Sequence, residues 1–124
     1  NYLLGRRAPA RVEDLAEHDL IGPDRSQVDL TIAAQFLPGR NLSDFVLRTD
    51  SHPAQLAAVR AGLGIAVVLA PVAEKIAGLV RVLPNLQLPQ FETWIVTHED
   101  LRNVPRIRAL MDHLGGAFDT WNRS

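Results

Sequence analysis

A strand, a turn and the start of a helix are indicated by the consecutive residues Phe45-Val46-Leu47-Arg48-Thr49-Asp50-Ser51-His52-Pro53. Residues 45–49 are rich in the aromatic and β-branched side chains that fit a pleated strand. Asp50 and Ser51 are helix-capping residues, and Pro53 already has the backbone φ angle that the first turn of a helix requires. We therefore predict a strand over residues 45–49, followed by a helix over residues 54–61 that ends at Gly62.

Helical and extended patterns alternate along the rest of the chain. Residues 63–69 contain no polar side chain, which is typical of a parallel strand buried on both faces. Residues 28–37 and 105–118 have apolar side chains at the spacing of an amphipathic helix. The other predicted elements are a helix over 12–18, a strand over 19–22, a helix over 72–76, and strands over 79–83 and 91–97. Strands separated by helices need crossover connections, so we predict an α/β fold with a mostly parallel sheet flanked by helices.

The composition is that of one globular domain, with 124 residues of which 47% are hydrophobic and 22% charged. The formal net charge is −1, whereas a domain that grips nucleic acid by its phosphates usually has a basic excess. The longest apolar run, residues 63–73, is about half of the roughly 20 residues that a membrane-spanning helix needs. We therefore expect no direct contact with DNA and no membrane association. Because the only Met is Met111 and no signal peptide is present, we expect a piece of a longer polypeptide.

Three motifs that could indicate catalysis or cofactor binding are each incomplete. Residues 98–102 begin like the helix motif of zinc proteases, but Arg102 occupies the place of the second His. Asp50, Ser51 and His52 are the residue types of a hydrolase triad, yet adjacent residues cannot aim their side chains into the required chain of hydrogen bonds. Residues 62–64 lack the third glycine of a dinucleotide fingerprint and precede a predicted strand rather than a helix. We therefore predict no catalytic residue, no metal ligand and no cofactor, and we do not expect an enzyme.

Three predicted strand ends carry residues with binding potential. Ligands of open parallel sheets settle outside the carboxyl ends of the strands, where helix N-termini present free N–H groups. Such junctions occur at residues 22–26, 49–53 and 69–72, although turn and cap chemistry alone would also explain each of them. The predicted binding residues are Thr49, Asp50, Ser51 and His52, with Gly22, Pro23, Asp24 and Leu69 as secondary candidates. Ser51 and His52 would offer hydrogen bonds. Because the Asp50 carboxylate would oppose a second anion close by, a ligand with a hydroxyl or an amine is equally open.

Short segments spread over nearly the whole chain form a recognisable series. In chain order they are Tyr2-Leu3, Pro9 and Glu13-Asp14-Leu15-Ala16 with His18; Arg48-Thr49-Asp50-Ser51-His52 with Gln55-Leu56; Ala61-Gly62-Leu63-Gly64-Ile65-Ala66; Gly78-Leu79-Val80-Arg81-Val82-Leu83-Pro84; and His98-Glu99-Asp100-Leu101-Arg102 with Arg106-Ile107-Arg108 and Asp112-His113-Leu114. In order and spacing, this series resembles the effector-binding domain of LysR-type transcriptional regulators. One departure is that the proline usually found directly after the buried strand is displaced to Pro71.

The resemblance implies a fold similar to the type 2 periplasmic binding proteins, in which two α/β lobes are joined by crossing strands and hold a small molecule between them. Residues 1–92 would form the second lobe. Residues 93–124 would supply a crossing strand and the C-terminal helix that belong to the first lobe. An N-terminal winged helix-turn-helix and the start of the first lobe would lie outside this sequence.

The function that the resemblance implies is effector sensing by a bacterial transcriptional regulator in the cytoplasm. The domain would bind a small organic effector without catalysis, and a homo-oligomer, a dimer or tetramer, would read out the movement of the lobes on DNA through the N-terminal domain. The alternative is an extracytoplasmic solute-binding protein of a transport system, which has the same two-lobed fold. Because the expected partner of the apolar stripe on helix 105–118 lies outside this sequence, the helix should fold back, exchange between chains or leave an exposed apolar surface.

Overall fold

The computed structural model describes residues 2–122, the last of them by its backbone alone. The elements are, in chain order, a 3₁₀ helix Val12–Glu17, strand β1 Leu20–Gly22, helix α1 Gln27–Phe36, a 3₁₀ helix Leu42–Asp44, strand β2 Phe45–Arg48, helix α2 His52–Arg60, helix α3 Ala70–Ala73, a 3₁₀ helix Glu99–Leu101 and helix α4 Pro105–Asn122. The chain divides into two compact units between Leu88 and Pro89. Each unit is described by itself.

The first unit is built on a parallel sheet. β1 and β2 lie side by side, with Ile21 paired to Leu47 and Gly22 paired to Arg48. The Thr49 N–H continues this pairing by donating to the Gly22 carbonyl at 2.9 Å. The strands are parallel because α1 carries the chain back to the start of β2. A mixed helix and strand fold with a parallel sheet agrees with the predicted α/β class, and within residues 2–122 the sheet has two strands.

The predicted strand over residues 63–69 is wrong over most of its length. Ile65 alone joins the sheet, since its N–H donates to Asp19 and its carbonyl accepts from Ile21, both at 2.9 Å. The next hydrogen bond between β1 and the segment after Ile65 would need the backbone N–H of Pro23 as its donor, and proline has none. The apolar residues that follow are consequently not buried on both faces, because Val67 and Leu69 are 57% and 51% exposed.

The strands predicted over residues 79–83 and 91–97 are also wrong. Neither segment forms a strand in the structure, and Val80, Trp94 and Val96 are 71%, 76% and 81% exposed. Both segments have the side chains that strands favour, but that preference acts only where a neighbouring strand completes the hydrogen bonds. No such neighbour lies beside them within the described part of the chain.

The predicted helices are confirmed with small shifts at their ends. Ser26 caps α1 by accepting from the Asp29 N–H, and Ser51 caps α2 by accepting from the Ala54 N–H, both at 3.4 Å. α3 begins two residues earlier than predicted because Pro71 lies in its first turn. α4 begins at the predicted proline and continues four residues further, to Asn122.

The core of the first unit is small and lies around β1. Its buried apolar side chains include Leu15, Leu20, Ile21 and Ala58. Gln55 of α2 is buried with them, at 5% exposure. Because α2 packs on β1, the end of β1 and the start of α2 are held in a fixed arrangement.

A polar network fixes the start of β1. The Tyr2 hydroxyl accepts from the Asp19 N–H at 2.7 Å and from the Arg6 guanidinium at 2.9 Å. The same guanidinium lies 2.9 Å from the Asp19 carboxylate and covers the Tyr2 ring. These contacts tie the first turn of the chain to the residue that precedes β1.

The second unit contains the last 3₁₀ helix and α4. Residues 89–121 include no buried residue, so this unit has no core of its own among the described residues. Throughout residues 2–122, the helices are too short or too polar to cross a membrane.

We predict that Gly64→Ala destabilises the first unit by about 2 kcal/mol, because overpacking a closed site costs about that much. Gly64 is buried, and a Cβ there would collide with the carbonyl oxygen of Asp19. That oxygen is held in place by the Ile65 N–H. Urea denaturation measures the change in the free energy of unfolding.

Gly116→Ala in α4 is the matched control. A Cβ at Gly116 meets nothing within 4 Å, and alanine favours a helix, so stability should be kept or raised. A Gly64→Ala protein as stable as the unsubstituted chain would contradict the predicted collision.

Candidate functional site

Two loops meet at the carboxyl edge of the parallel sheet. The loop over residues 23–26 connects β1 to α1, and the loop over residues 49–51 connects β2 to α2. Because Gly22 pairs with Arg48, both strands end at the same level and both loops leave from the same edge. The structure therefore brings together two of the three predicted junctions.

The Asp50 carboxylate joins the two loops. Its Oδ1 accepts from the backbone N–H groups of Asp24, Arg25 and Ser26 at 2.8, 3.0 and 3.0 Å, and its Oδ2 accepts from Arg25 at 3.0 Å. Consecutive N–H groups before a helix form a concave anion-binding surface, which is here filled by a carboxylate of the protein itself. The hydrogen bonds from Ser26 and Asp24, and then from Arg25, lower the pKa of the Asp50 carboxyl.

The hydroxyl groups of Thr49 and Ser51 lie beside this carboxylate in sequence and accept backbone hydrogen bonds. Thr49 Oγ1 accepts from the Ser51 N–H at 3.2 Å, and Ser51 Oγ caps α2. The buried Gln55 amide donates to the Thr49 carbonyl at 2.6 Å, which fixes the backbone at the end of β2. Each hydroxyl keeps its own proton for donation to a ligand.

Charged side chains surround the loops. Asp24 lies between two guanidinium groups, at 3.5 Å from Arg48 and 3.6 Å from Arg25. His52 Nε2 lies 3.4 Å from Asp29 Oδ2, so a protonated His52 would form an ion pair with the first turn of α1. These pairs are partly exposed and are weakened by solvent, so they orient the side chains more than they stabilise the fold.

The secondary candidates have different positions. Gly22 and Pro23 are buried, and a Cβ at Gly22 would collide with the Phe45 ring, so both belong to the backbone frame of the edge. Asp24 lies within the loop and pairs with the arginines. Leu69 is half-exposed and precedes α3, and no hydrogen bond in the described structure joins it to the two loops.

The predicted binding residues did not include four residues that shape this edge: Arg25, Asp29, Arg48 and Gln55. Arg25 lies within the predicted junction over residues 22–26, and two of the others also had a signal in the sequence. Asp29 is the acidic residue three positions after the cap Ser26, and Arg48 directly precedes the predicted Thr49. Nothing in the sequence indicated that Gln55 would turn inward to the end of β2.

A second concave surface of about 340 Å³ lies apart in sequence, lined by residues 7–11 together with Asp14, Glu17 and His18. The N–H groups of Ala10 and Arg11 donate to the Asp14 carboxylate at 2.9 and 3.0 Å and lower its pKa. Asp14 thus caps the first 3₁₀ helix. Across the described residues, the acidic and histidine side chains form no group of three or more that could hold a metal ion.

We predict that Asp50→Asn reduces the amount by which the free energy of unfolding falls on acidification. The Asp50 pKa is lower in the folded protein than its ordinary value of 3.8, so the carboxylate stabilises the fold fully above that value. The contribution disappears as the pH falls through the folded-state pKa. Urea denaturation at about pH 7 and pH 3 should show a smaller loss for Asp50→Asn than for the unsubstituted chain.

Asp112→Asn makes the same change of charge at an exposed position of α4 and serves as the control. It should lose stability on acidification as the unsubstituted chain does. Identical acid dependence of the Asp50→Asn and Asp112→Asn proteins would contradict the role given to the Asp50 carboxylate.

The comparisons with known proteins point to one family. Residues 1–119 match the family model described as the LysR substrate binding domain. Searches of the curated proteins and of the solved structures found no match. The family match extends over nearly the whole chain and confirms the resemblance seen in the sequence. This chain therefore belongs to the LysR substrate-binding domain family.

Proposed function

We propose that this domain senses a small organic effector and that it is the ligand-binding part of a bacterial LysR-type transcriptional regulator. The observation that carries the proposal is the bridge from Asp50 to the N–H groups of residues 24–26. It holds two loops with polar side chains on one edge of a parallel sheet, the edge where open α/β sheets bind ligands. The family match supports the same reading.

The effector would be recognised by the groups that this bridge leaves available. The N–H groups of residues 24–26, in the loop before α1, are occupied by Asp50, so an anionic group of the ligand that sought the same N–H groups would compete with a carboxylate already in place. The hydroxyl protons of Thr49 and Ser51 remain for donation, and the His52 ring is exposed at the start of α2. A ligand with hydroxyl, carbonyl or amine groups fits these partners.

The regulatory step would depend on a second lobe. Under this proposal residues 1–92 form one lobe of a type 2 periplasmic-binding-protein-like fold, and residues 93–124 contribute a connecting segment and a helix to the other. A ligand shifts the arrangement of two lobes only if it binds one arrangement more tightly, so it must contact both lobes. The DNA-binding domain of a homo-oligomeric cytoplasmic regulator would then read out the shift, and the domain itself would catalyse no reaction.

An extracytoplasmic solute-binding protein is the less favoured function. It would use the same two-lobed fold, but the match to the LysR substrate binding domain favours the regulator.

We predict that Ser51→Ala combined with His52→Ala abolishes effector binding. The substitutions remove a hydroxyl and an imidazole from the proposed site while leaving Asp50 in place. Thermal shift against a library of small organic acids, alcohols and amines identifies a ligand, because a ligand that binds only the folded state raises the melting temperature. Titration calorimetry then compares the variants.

The control combines Ser43→Ala with His113→Ala, the same residue types at exposed positions that do not belong to the two loops. Because Ser51 caps α2, its loss alone costs about 1 kcal/mol of stability, so the comparison uses the ligand-induced shift and not the melting temperature itself. Undiminished binding by the Ser51→Ala, His52→Ala protein would refute the site. A protein of full effector-domain length that binds nothing in the library would argue against the function.

A further inference from the structure

Two arginine side chains converge at the edge of the sheet where the candidate site lies. Arg48 is the last residue of β2, and Arg25 lies in the loop after β1. The Arg48 Nη2 atom lies 3.5 Å from Asp24 Oδ1, and the Arg25 Nε atom lies 3.6 Å from Asp24 Oδ2. The two guanidinium groups therefore flank one carboxylate, although they come from different strands.

The contacts with Asp24 are too long to satisfy these guanidinium groups. A hydrogen bond from a guanidinium N–H to a carboxylate oxygen has a length of about 2.7–2.9 Å. Each guanidinium carries five N–H donors, and within residues 2–122 neither of these two groups makes a hydrogen bond to a protein acceptor. The Arg25 side chain is 90% exposed and the Arg48 side chain 43% exposed. Both sets of donors are therefore available to a ligand.

The other carboxylates near the two loops have partners of their own. Asp50 accepts four hydrogen bonds from backbone N–H groups, which stabilise its charged form. Asp29 lies 3.4 Å from His52. Of these three carboxylates, Asp24 is the one that lies between the guanidinium groups and directly opposes an anion that would bind there.

We propose that Arg25 and Arg48, here called the arginine pair, bind a carboxylate group of the effector and make the candidate site specific for organic acids. The inference rests on the proposed function and names the class of effector. The two oxygens of a carboxylate match the fork of N–H groups on a guanidinium, and such pairs are among the strongest hydrogen-bonded contacts in proteins. The arginine pair places two forks at the end of the same sheet.

The neighbouring hydroxyl groups narrow the class of acid. Thr49 directly follows Arg48, and Thr49 and Ser51 both keep a hydroxyl proton for donation. An acid that also carries a hydroxyl or carbonyl oxygen would use the arginine pair and these donors together. The backbone N–H groups of residues 24–26 take no part, because Asp50 occupies them. A hydroxy acid or an oxo acid therefore fits this edge.

The first test compares probes that differ in the charge of one group. A protein of full effector-domain length is titrated with lactate and lactamide, with malate and malamide, and with 4-hydroxybenzoate and 4-hydroxybenzamide, and with the acid and amide forms of every ligand found in the wider library. We expect an acid to bind and its amide to bind on the order of tenfold more weakly, the scale of one hydrogen bond to a charged group.

The second test uses substitutions with opposite expected effects on the dissociation constant of the acid. Arg48→Gln should raise it on the order of tenfold and leave that of the amide unchanged. Asp24→Asn should lower it about threefold, the scale of an exposed charge pair, while the backbone N–H that Asp24 donates to Asp50 is kept. Tighter binding cannot result from unfolding. Arg60→Gln, at an exposed position in the last turn of α2, is the matched control and should change neither constant.

Three results would each overturn the arginine pair and leave the proposed function standing. They are equal binding of acid and amide, equal dissociation constants for the Arg48→Gln and Arg60→Gln proteins, and an Asp24→Asn protein that binds the acid no more tightly than the unsubstituted protein does. A protein that binds no member of the library would contradict the proposed function itself, and the arginine pair with it.

Discussion

The structure of the candidate site depends on one interaction, the acceptance of three backbone N–H groups by the Asp50 carboxylate. Three consecutive N–H groups in the loop before α1 need acceptors, and the helix dipole favours a negative charge near the start of the helix. Asp50 supplies both from the neighbouring loop, at a distance of about 25 residues in sequence. The loops after β1 and β2 thereby become one unit. A small anion that sought the same three N–H groups would find the position occupied by the protein's own carboxylate.

Pro23 directs the chain toward that interaction and also limits the sheet. It follows β1 directly and has no backbone N–H to donate to the carbonyl of residue 67. The pairing between β1 and the segment around Ile65 therefore stops after one bridge. The same residue turns the chain into the loop whose next three N–H groups meet Asp50. The end of the sheet and the formation of the site are therefore two consequences of one proline. Gly22 contributes from the other side, because the Phe45 ring lies where its side chain would be.

The elements that could be predicted from the sequence are those whose signals are local. The caps Ser26 and Ser51 and the prolines in the first turns of α2, α3 and α4 predicted the helices to within a few residues. Strands are different, because residues 79–83 and 91–97 have suitable side chains but no strand beside them in the described structure. The candidate site also has some features that local signals predict and others that depend on contacts between distant segments. The position of Asp50 at a strand end was predictable, whereas its partners depend on how two distant loops meet, and the inward turn of Gln55 depends on packing against β1.

The two units pose different physical problems. The first buries a small core and satisfies its polar groups internally, so its candidate site is preorganised before any ligand arrives. The second buries no residue among positions 89–121, so α4 has no core of its own to pack on within the described part of that unit. A ligand at the candidate site would therefore bind to a preorganised first unit, and it could change the arrangement of the rest of the protein only by binding one arrangement more tightly than another.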